Sequence, residues 1–277
     1  FEYRPNLTRF YQMRKRFSNY RYYGVPRNKG TRFCAVGLGI GPFATSKARK
    51  IAMNPLKYHD FIFTRDKTSH DFAVNNGIEN SKLGHDICFL EIDKIQEAKS
   101  ETRQIANCAT FVIREYKYGD QNENCLKNMI KLAKFLKADG FQIRWVSFQP
   151  GYDDPAIEKI RSLGDTIWQW NPNTMQIEDG YLLMAESSLI ITARMHGTYI
   201  AGMLGLPCLS LSLHPKLKYA AEYFSNSNCV SPKCLDGVLE AGKLLLNEKE
   251  GNFSSEQICT INQDVGKMVR TVENWLV

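Results

Sequence analysis

From Phe33 onward the chain alternates short apolar runs with longer amphipathic stretches, and this rhythm constrains its fold more than any other feature. A strand followed by a helix and another strand returns the chain to the same side of a sheet, so successive strands lie parallel. The first block predicts a strand over Phe33 to Val36, a helix over Thr45 to Met53 and a strand over Asp60 to Thr64. A helix over Lys67 to Asn75, closed by Gly77, and a third strand over Ile87 to Leu90 complete it. The second block opens with a strand over Thr110 to Ile113. A long helix over Asn122 to Ala138 follows, in which Leu126, Met129, Ile130, Ala133 and Leu136 share one face before Gly140 stops it. Strands at Gln142 to Phe148, Thr166 to Trp168, Leu189 to Ala193 and Cys208 to Leu211 then alternate with helices at Pro155 to Leu163, Met175 to Ala185 and Gly197 to Leu204. The reading is an α/β protein with mainly parallel sheet covered by helices on both faces.

The polar stretch 91–107 reads as a linker. It divides the chain into an N-terminal lobe, 1–107, whose first 32 residues are a distinct segment, and a C-terminal lobe, 108–255. The apolar periodicity of Ile258, Ile261, Val265, Val269, Val272 and Leu276 makes 256–277 a closing amphipathic helix.

Residues 1–32 carry nine Lys or Arg and one acid, whereas the rest of the chain is nearly balanced, so the net charge of +7 comes from this segment. Phe10, Tyr11, Phe17, Tyr20, Tyr22 and Tyr23 lie among those cations. Three readings stand: a packed or solvated helix, a peripheral contact with an anionic membrane surface, and a nucleic-acid contact, the last disfavoured because no recognition module follows. At 277 residues and 43% hydrophobic the chain has ample core, which excludes disordered and fibrous classes. The apolar runs fall short of the ~18 residues a membrane span requires. Eight scattered cysteines without a C-x-x-C pair favour reduced thiols and a cytoplasmic location, at the inner membrane face if the basic segment binds lipid. Cys229 and Cys234, the one near pair, have no second pair or close histidine to complete a zinc site.

Ligands of open α/β sheets gather beyond the carboxyl ends of strands. Four groups of polar residues follow apolar runs there: Gly37-Leu38-Gly39-Ile40-Gly41, Arg65-Asp66, Arg114, and Arg194-Met195-His196-Gly197. The glycines admit close backbone approach but match neither a dinucleotide fingerprint nor a P-loop, and a plain tight turn explains them equally well. Arg194 and His196 stand where a strand hands over to a helix whose N-terminal amides favour an anion. The alternative is a helix cap and an ion pair. Lys216, after the next strand, and Arg114 add two further cations.

The segments GLGIGPF (37–43), FIFTRDKTSHDFAVNNGI (61–78), IITARMHGTYIAGMLGLPCLSL (190–211) and HPKLK (214–218) together resemble the polysaccharide pyruvyl transferase family. The resemblance covers roughly residues 34–224, although 1–32 lack the family's Gly/Asn-rich opening turn. It implies a GT-B-like architecture, two Rossmann-like lobes with the active site in their cleft. It also implies transfer of the pyruvyl group of phosphoenolpyruvate onto two hydroxyls of a sugar as a cyclic ketal, without a metal or cofactor. On that reading His196 is the catalytic acid–base group. Arg194, Met195, Arg114, Lys216, Gly39, Gly41 and Arg65 hold substrate, and Asp66 and Asp86 orient the acceptor, with Glu115 and Glu178 as weaker candidates. The expected partners are phosphoenolpyruvate and a sugar, or a lipid- or nucleotide-linked glycan. A nucleotide-sugar-dependent glycosyltransferase of the same architecture and a non-catalytic glycan-binding or membrane-associated protein are the alternative functions.

Overall fold

The computed structural model describes residues 32–41, 43, 45–115, 121–224, 227–247 and 255–277. The basic aromatic segment therefore lies outside the described residues, apart from Arg32. Two compact units divide the chain: one runs to Leu90 and takes up Cys259–Val277, and the other is Glu91–Ile258.

Among the described residues the first unit holds a three-stranded parallel sheet of β1 (Cys34–Leu38), β2 (Phe61–Thr64) and β3 (Ser81–Leu83), in that order. Helices α1 (Ser46–Leu56) and α2 (Lys67–Val74) connect the strands. Met53, Leu56, Ile62, Ala73 and Ile78 form the core on one side of this sheet. On the other, Phe61 and Phe63 receive Met268, with Val272 and Trp275 packed beside them, from the last helix. The register of β1 against β2 shifts between Ala35 and Leu38, where Gly37 has φ +66°, a conformation glycine adopts without strain.

The sequence expectation differs here in one strand. Ile87–Glu91 is a 3₁₀ helix rather than a strand, started by Asp86, whose side chain accepts the amide of Cys88 at 3.1 Å. The third strand is the short polar Ser81–Leu83, which among the described residues pairs with β2 alone and so needs no apolar run.

The second unit begins with α3 (Ile92–Glu101), inside the stretch expected to be a linker. Its Ile92, Ile95 and Ala98 are buried, a narrow apolar stripe among charged residues, and Gln96 donates to the carbonyl of Met203. The division between units accordingly falls at Leu90/Glu91 rather than after 107. Six parallel strands follow: β4 (Cys108–Val112), β5 (Gln142–Ser147), β6 (Ile167–Gln169), β7 (Leu189–Thr192), β8 (Cys208–Leu211) and β9 (Ser227–Val230). Between and after them run α4 (Gln121–Ala138), α5 (Asp154–Arg161), α6 (Ile177–Ala185), α7 (Met195–Met203), α8 (Pro215–Ala221) and α9 (Leu235–Asn247), before α10 (Ser255–Leu276).

The strands are ordered β6-β5-β4-β7-β8-β9, the doubly wound 3-2-1-4-5-6 arrangement of a Rossmann-like sheet. Phe111, Trp145, Ile191, Leu132, Leu136 and Val238 anchor a core that α4 and α9 share with the central strands. The order of winding reverses between β4 and β7, which pair in register from Ala109↔Leu189 to Val112↔Thr192. Beyond their carboxyl ends lies the crevice in which such sheets bind ligands.

Candidate functional site

In the second unit that crevice is built around a buried carboxylate. Asp153 has no exposed surface, and its two oxygens accept from Arg194 Nη2 at 2.7 and 2.6 Å. The amide of Glu115 donates to one oxygen at 2.9 Å and the hydroxyl of Ser147 to the other at 2.7 Å. Arg194 also donates through Nε to the carbonyl of Ile113 at 2.8 Å and through Nη1 to Gln149 at 3.3 Å. One guanidinium thus ties the ends of β4, β5 and β7 together across the switch point. A buried carboxylate needs such a counter-charge and several donors to be tolerated.

This differs from the expectation that Arg194 grips a substrate anion directly. Its guanidinium is engaged by protein acceptors, so it positions its neighbours. Met195 likewise turns its side chain into the interior, where it is buried. Arg194 is the N-cap of α7 and makes no side-chain cap bond, so the positive end of that helix is not answered by its own cap residue.

His196 follows in the first turn of α7 and is exposed, with its ring 6.3 Å from that of Tyr199. Gly197 sets how closely this turn sits on β7: a Cβ there would lie 2.2 Å from Thr192 Oγ1, which bridges the amide and carbonyl of Arg194. Arg114 lies just beyond the end of β4, half-buried. Lys216 is in the first turn of α8, where its amide donates to His214 Nδ1 at 3.2 Å. Asp153, Gln149 and Thr192 are residues of this crevice that the sequence reading did not single out, and it named His214 and Gly197 only as parts of longer segments. Position after a strand was the available signal for His214 and Gln149; only the fold reveals the partnership of Asp153 with Arg194.

The first unit brings a second group of candidates together. The guanidinium of Arg65 lies over Gly39, where a Cβ would come within 2.4 Å of its Cζ. Arg65 Nε meets Asp66 at 3.3 Å and its Nη1 meets Asp86 at 3.5 Å, with all three side chains largely buried. Asp66 is the N-cap of α2, accepting the amide of Ser69 at 2.7 Å, while the Ser69 hydroxyl accepts the amide of Ile40 at 2.9 Å. Both carboxylates therefore hold Arg65 and the turns around it. Gly41 has φ +77° and faces the ring of Phe43. Of the weaker candidates, Glu178 is on α6 and pairs with Lys94 on the surface.

All eight cysteines are free; Cys108, Cys125 and Cys208 are buried and Cys234 and Cys259 exposed. Burial pushes the Cys125 thiol up to about 12, in keeping with an inert packing role.

Residues 7–215 match the family described as polysaccharide pyruvyl transferase. No curated protein sequence matches the chain. Among solved structures it is similar to UDP-N-acetylglucosamine 2-epimerase from Rickettsia bellii, with 15% identity, a TM-score of 0.63 and coverage of 88% of this chain and 67% of that one. The UDP-GlcNAc 2-epimerase from Neisseria meningitidis bound to UDP-GlcNAc gives 14%, 0.63, 88% and 70% for the same measures. The enzyme from Methanocaldococcus jannaschii in complex with UDP-GlcNAc and UDP gives 14%, 0.56, 78% and 62%, so the chain spans less than two thirds of that structure's length. At such identities the likeness establishes the fold alone, the GT-B-like α/β architecture of two Rossmann-like lobes.

Proposed function

The chain belongs to the polysaccharide pyruvyl transferase family, and from that premise we propose that it moves the pyruvyl group of phosphoenolpyruvate onto two hydroxyls of a glycan or glycan precursor as a cyclic ketal. The observation that carries this reading is the exposed His196 in the first turn of α7, held at the switch point by the Arg194–Asp153 clamp. Phosphoenolpyruvate has a phosphate and a carboxylate. Arg114 and Lys216, which follow β4 and β8, and the N-terminal end of α7 suit two anion subsites.

In the first step His196 delivers a proton to the methylene carbon while a sugar hydroxyl adds to the adjacent carbon. The proton released by that hydroxyl returns to the imidazole. A second hydroxyl then displaces phosphate from the same carbon, and its proton leaves with the phosphate. Arg194 acts as a positioning residue, and the reaction asks for no redox change. Residues 1–32, with nine basic side chains and one acid, supply a peripheral contact with anionic lipid, which would keep the protein at a cytoplasmic membrane face. In the first unit Arg65, Gly39 and Gly41 bind substrate, and Asp66 and Asp86 orient the acceptor through Arg65.

Thermal melting with phosphoenolpyruvate and with UDP-sugars tests the donor. A ligand at about 100 times its dissociation constant stabilises by roughly 2.7 kcal/mol. Stabilisation by phosphoenolpyruvate, lost in Arg114→Gln, supports the reading. Stabilisation by a UDP-sugar instead would install the glycosyltransferase alternative. His196→Ala should lower turnover by ~10²–10⁴ with an unchanged melting temperature, measured as acceptor-dependent phosphate release; full activity would remove His196 from its role.

A further inference from the structure

A separate cavity of about 520 Å³ opens on the second unit between α8 and the end of β9. Its charged residues are Lys218 and Glu222, four apart on α8 and its C-cap, so they fall on one helix face. Its hydroxyls are Ser212 and Ser231, which stand directly beyond the paired residues Leu211 and Val230 at the carboxyl ends of β8 and β9. The amide of Ser212 donates to the carbonyl of Val230 at 2.8 Å, fixing these two ends beside each other. Ala221 and Val230 contribute small apolar surface. Cys229 lies against the same space; burial pushes its thiol up, and the Ser212 hydroxyl and Lys218 draw it partly back.

The chemistry of this lining is selective. One ammonium and one carboxylate leave it without net charge, so a phosphate gains from Lys218 what Glu222 takes away, and a cation fares no better. A hydroxyl both donates and accepts, and so suits all the polar groups at once: it donates to Glu222, accepts from Lys218 and does either with serine. Ala221 and Val230 fit the C–H face of a sugar ring, and the volume is within the range of small-ligand pockets. The cavity also lies at the same carboxyl edge of the sheet as His196 and Lys216, in the β8–β9 part of it.

We propose that this cavity is a subsite for an uncharged sugar residue of the acceptor glycan, neighbouring the residue that receives the pyruvyl group. This rests on the acceptor being a glycan, as the proposed function has it. The subsite would make a disaccharide or longer acceptor better than a single sugar.

The test uses the whole chain, with lactose, maltose and cellobiose as neutral probes and glucose as the single-sugar control. Binding is read by saturation-transfer NMR and turnover by phosphate release from phosphoenolpyruvate. At least one disaccharide should bind wild type, and Glu222→Gln and Lys218→Ala should each weaken it roughly tenfold or more, at unchanged melting temperature. In turnover the loss should fall on the acceptor KM, with the half-saturating concentration of phosphoenolpyruvate unchanged. Failure of all three disaccharides to bind wild type, or equal binding by wild type and both variants, would overturn the subsite. The proposed donor is judged separately. If phosphoenolpyruvate yields no phosphate with any protein while the variants still lose sugar binding, the subsite stands and the donor assignment falls. If turnover proceeds with an unchanged acceptor KM in both variants, the donor stands and the subsite falls.

Discussion

Asp153 joins three strand ends by accepting from an arginine, a serine and a backbone amide. Removing one partner of such a buried pair leaves the other charge uncompensated, at a cost of about 3–5 kcal/mol. Asp153→Ala should therefore lower the unfolding free energy by about that amount in urea titrations. Gly197 is constrained by space: its Cβ would overlap Thr192 Oγ1, so Gly197→Ala must shift α7 or β7. About 1–3 kcal/mol of destabilisation is expected, with a fall in turnover beyond it because His196 is the preceding residue; calorimetry and phosphate release measured on the same preparation separate the two. These residues also mark where reading the sequence stops. The placement of Arg194, His196, Arg114 and Lys216 beyond strand ends was legible because each follows an apolar run. That Arg194 turns toward Asp153, 41 positions earlier, depends on the strand order, which local pattern does not contain.

At the level of elements, apolar periodicity located most helices and strands because the residues that recur at 3.6 spacing, such as Met129, Leu132 and Leu136 of α4, are the buried ones. It failed where burial is narrow or one-sided. β3 and β9 are short, polar edge strands, and α3 hides three buried residues among charges. The closing helix α10 was legible, but its role in the first unit was not. Ile261, Val265 and Met268 are its buried face, Trp275 Nε1 donates to Asp60 at 3.1 Å, and Asp264 approaches His85 Nε2 at 3.6 Å. Burial holds the imidazole of His85 below its usual range, against the pull of Asp264. The Lys267 ammonium, with a smaller contribution from His85, holds the Asp264 carboxyl low. The signs agree. Below about pH 6.5 the unfolded chain takes up a proton at His85 that the folded chain resists, and the contribution of Asp264, present above the ordinary carboxylate range, is lost as pH falls through its lowered value. The melting temperature should fall between pH 7 and pH 5, and His85→Gln should flatten that slope. An equal slope in the variant would assign the pH dependence elsewhere.

For the molecule as a whole, charge is distributed unevenly: the first 32 residues hold the entire positive excess. Among the described residues no helix is long and apolar enough to cross a membrane. The proposed contact of the basic segment with lipid is electrostatic, and it should be salt-sensitive. Co-sedimentation with vesicles containing anionic lipid, falling with added salt and lost on deletion of residues 1–23, is the expected result. Binding indifferent to lipid charge would remove the contact. The first unit is completed only by residues from Cys259 onward, with all of Glu91–Ile258 between its two parts. A ribosome adds on the order of ten residues each second, so the outer faces of Phe61 and Phe63 wait on the order of ten seconds or more for Met268 to be made. The inserted unit is contiguous and need not wait. During synthesis the N-terminal part of the protein, made first, is therefore the later to mature, and its uncovered aromatic face is the surface a chaperone would have to shield.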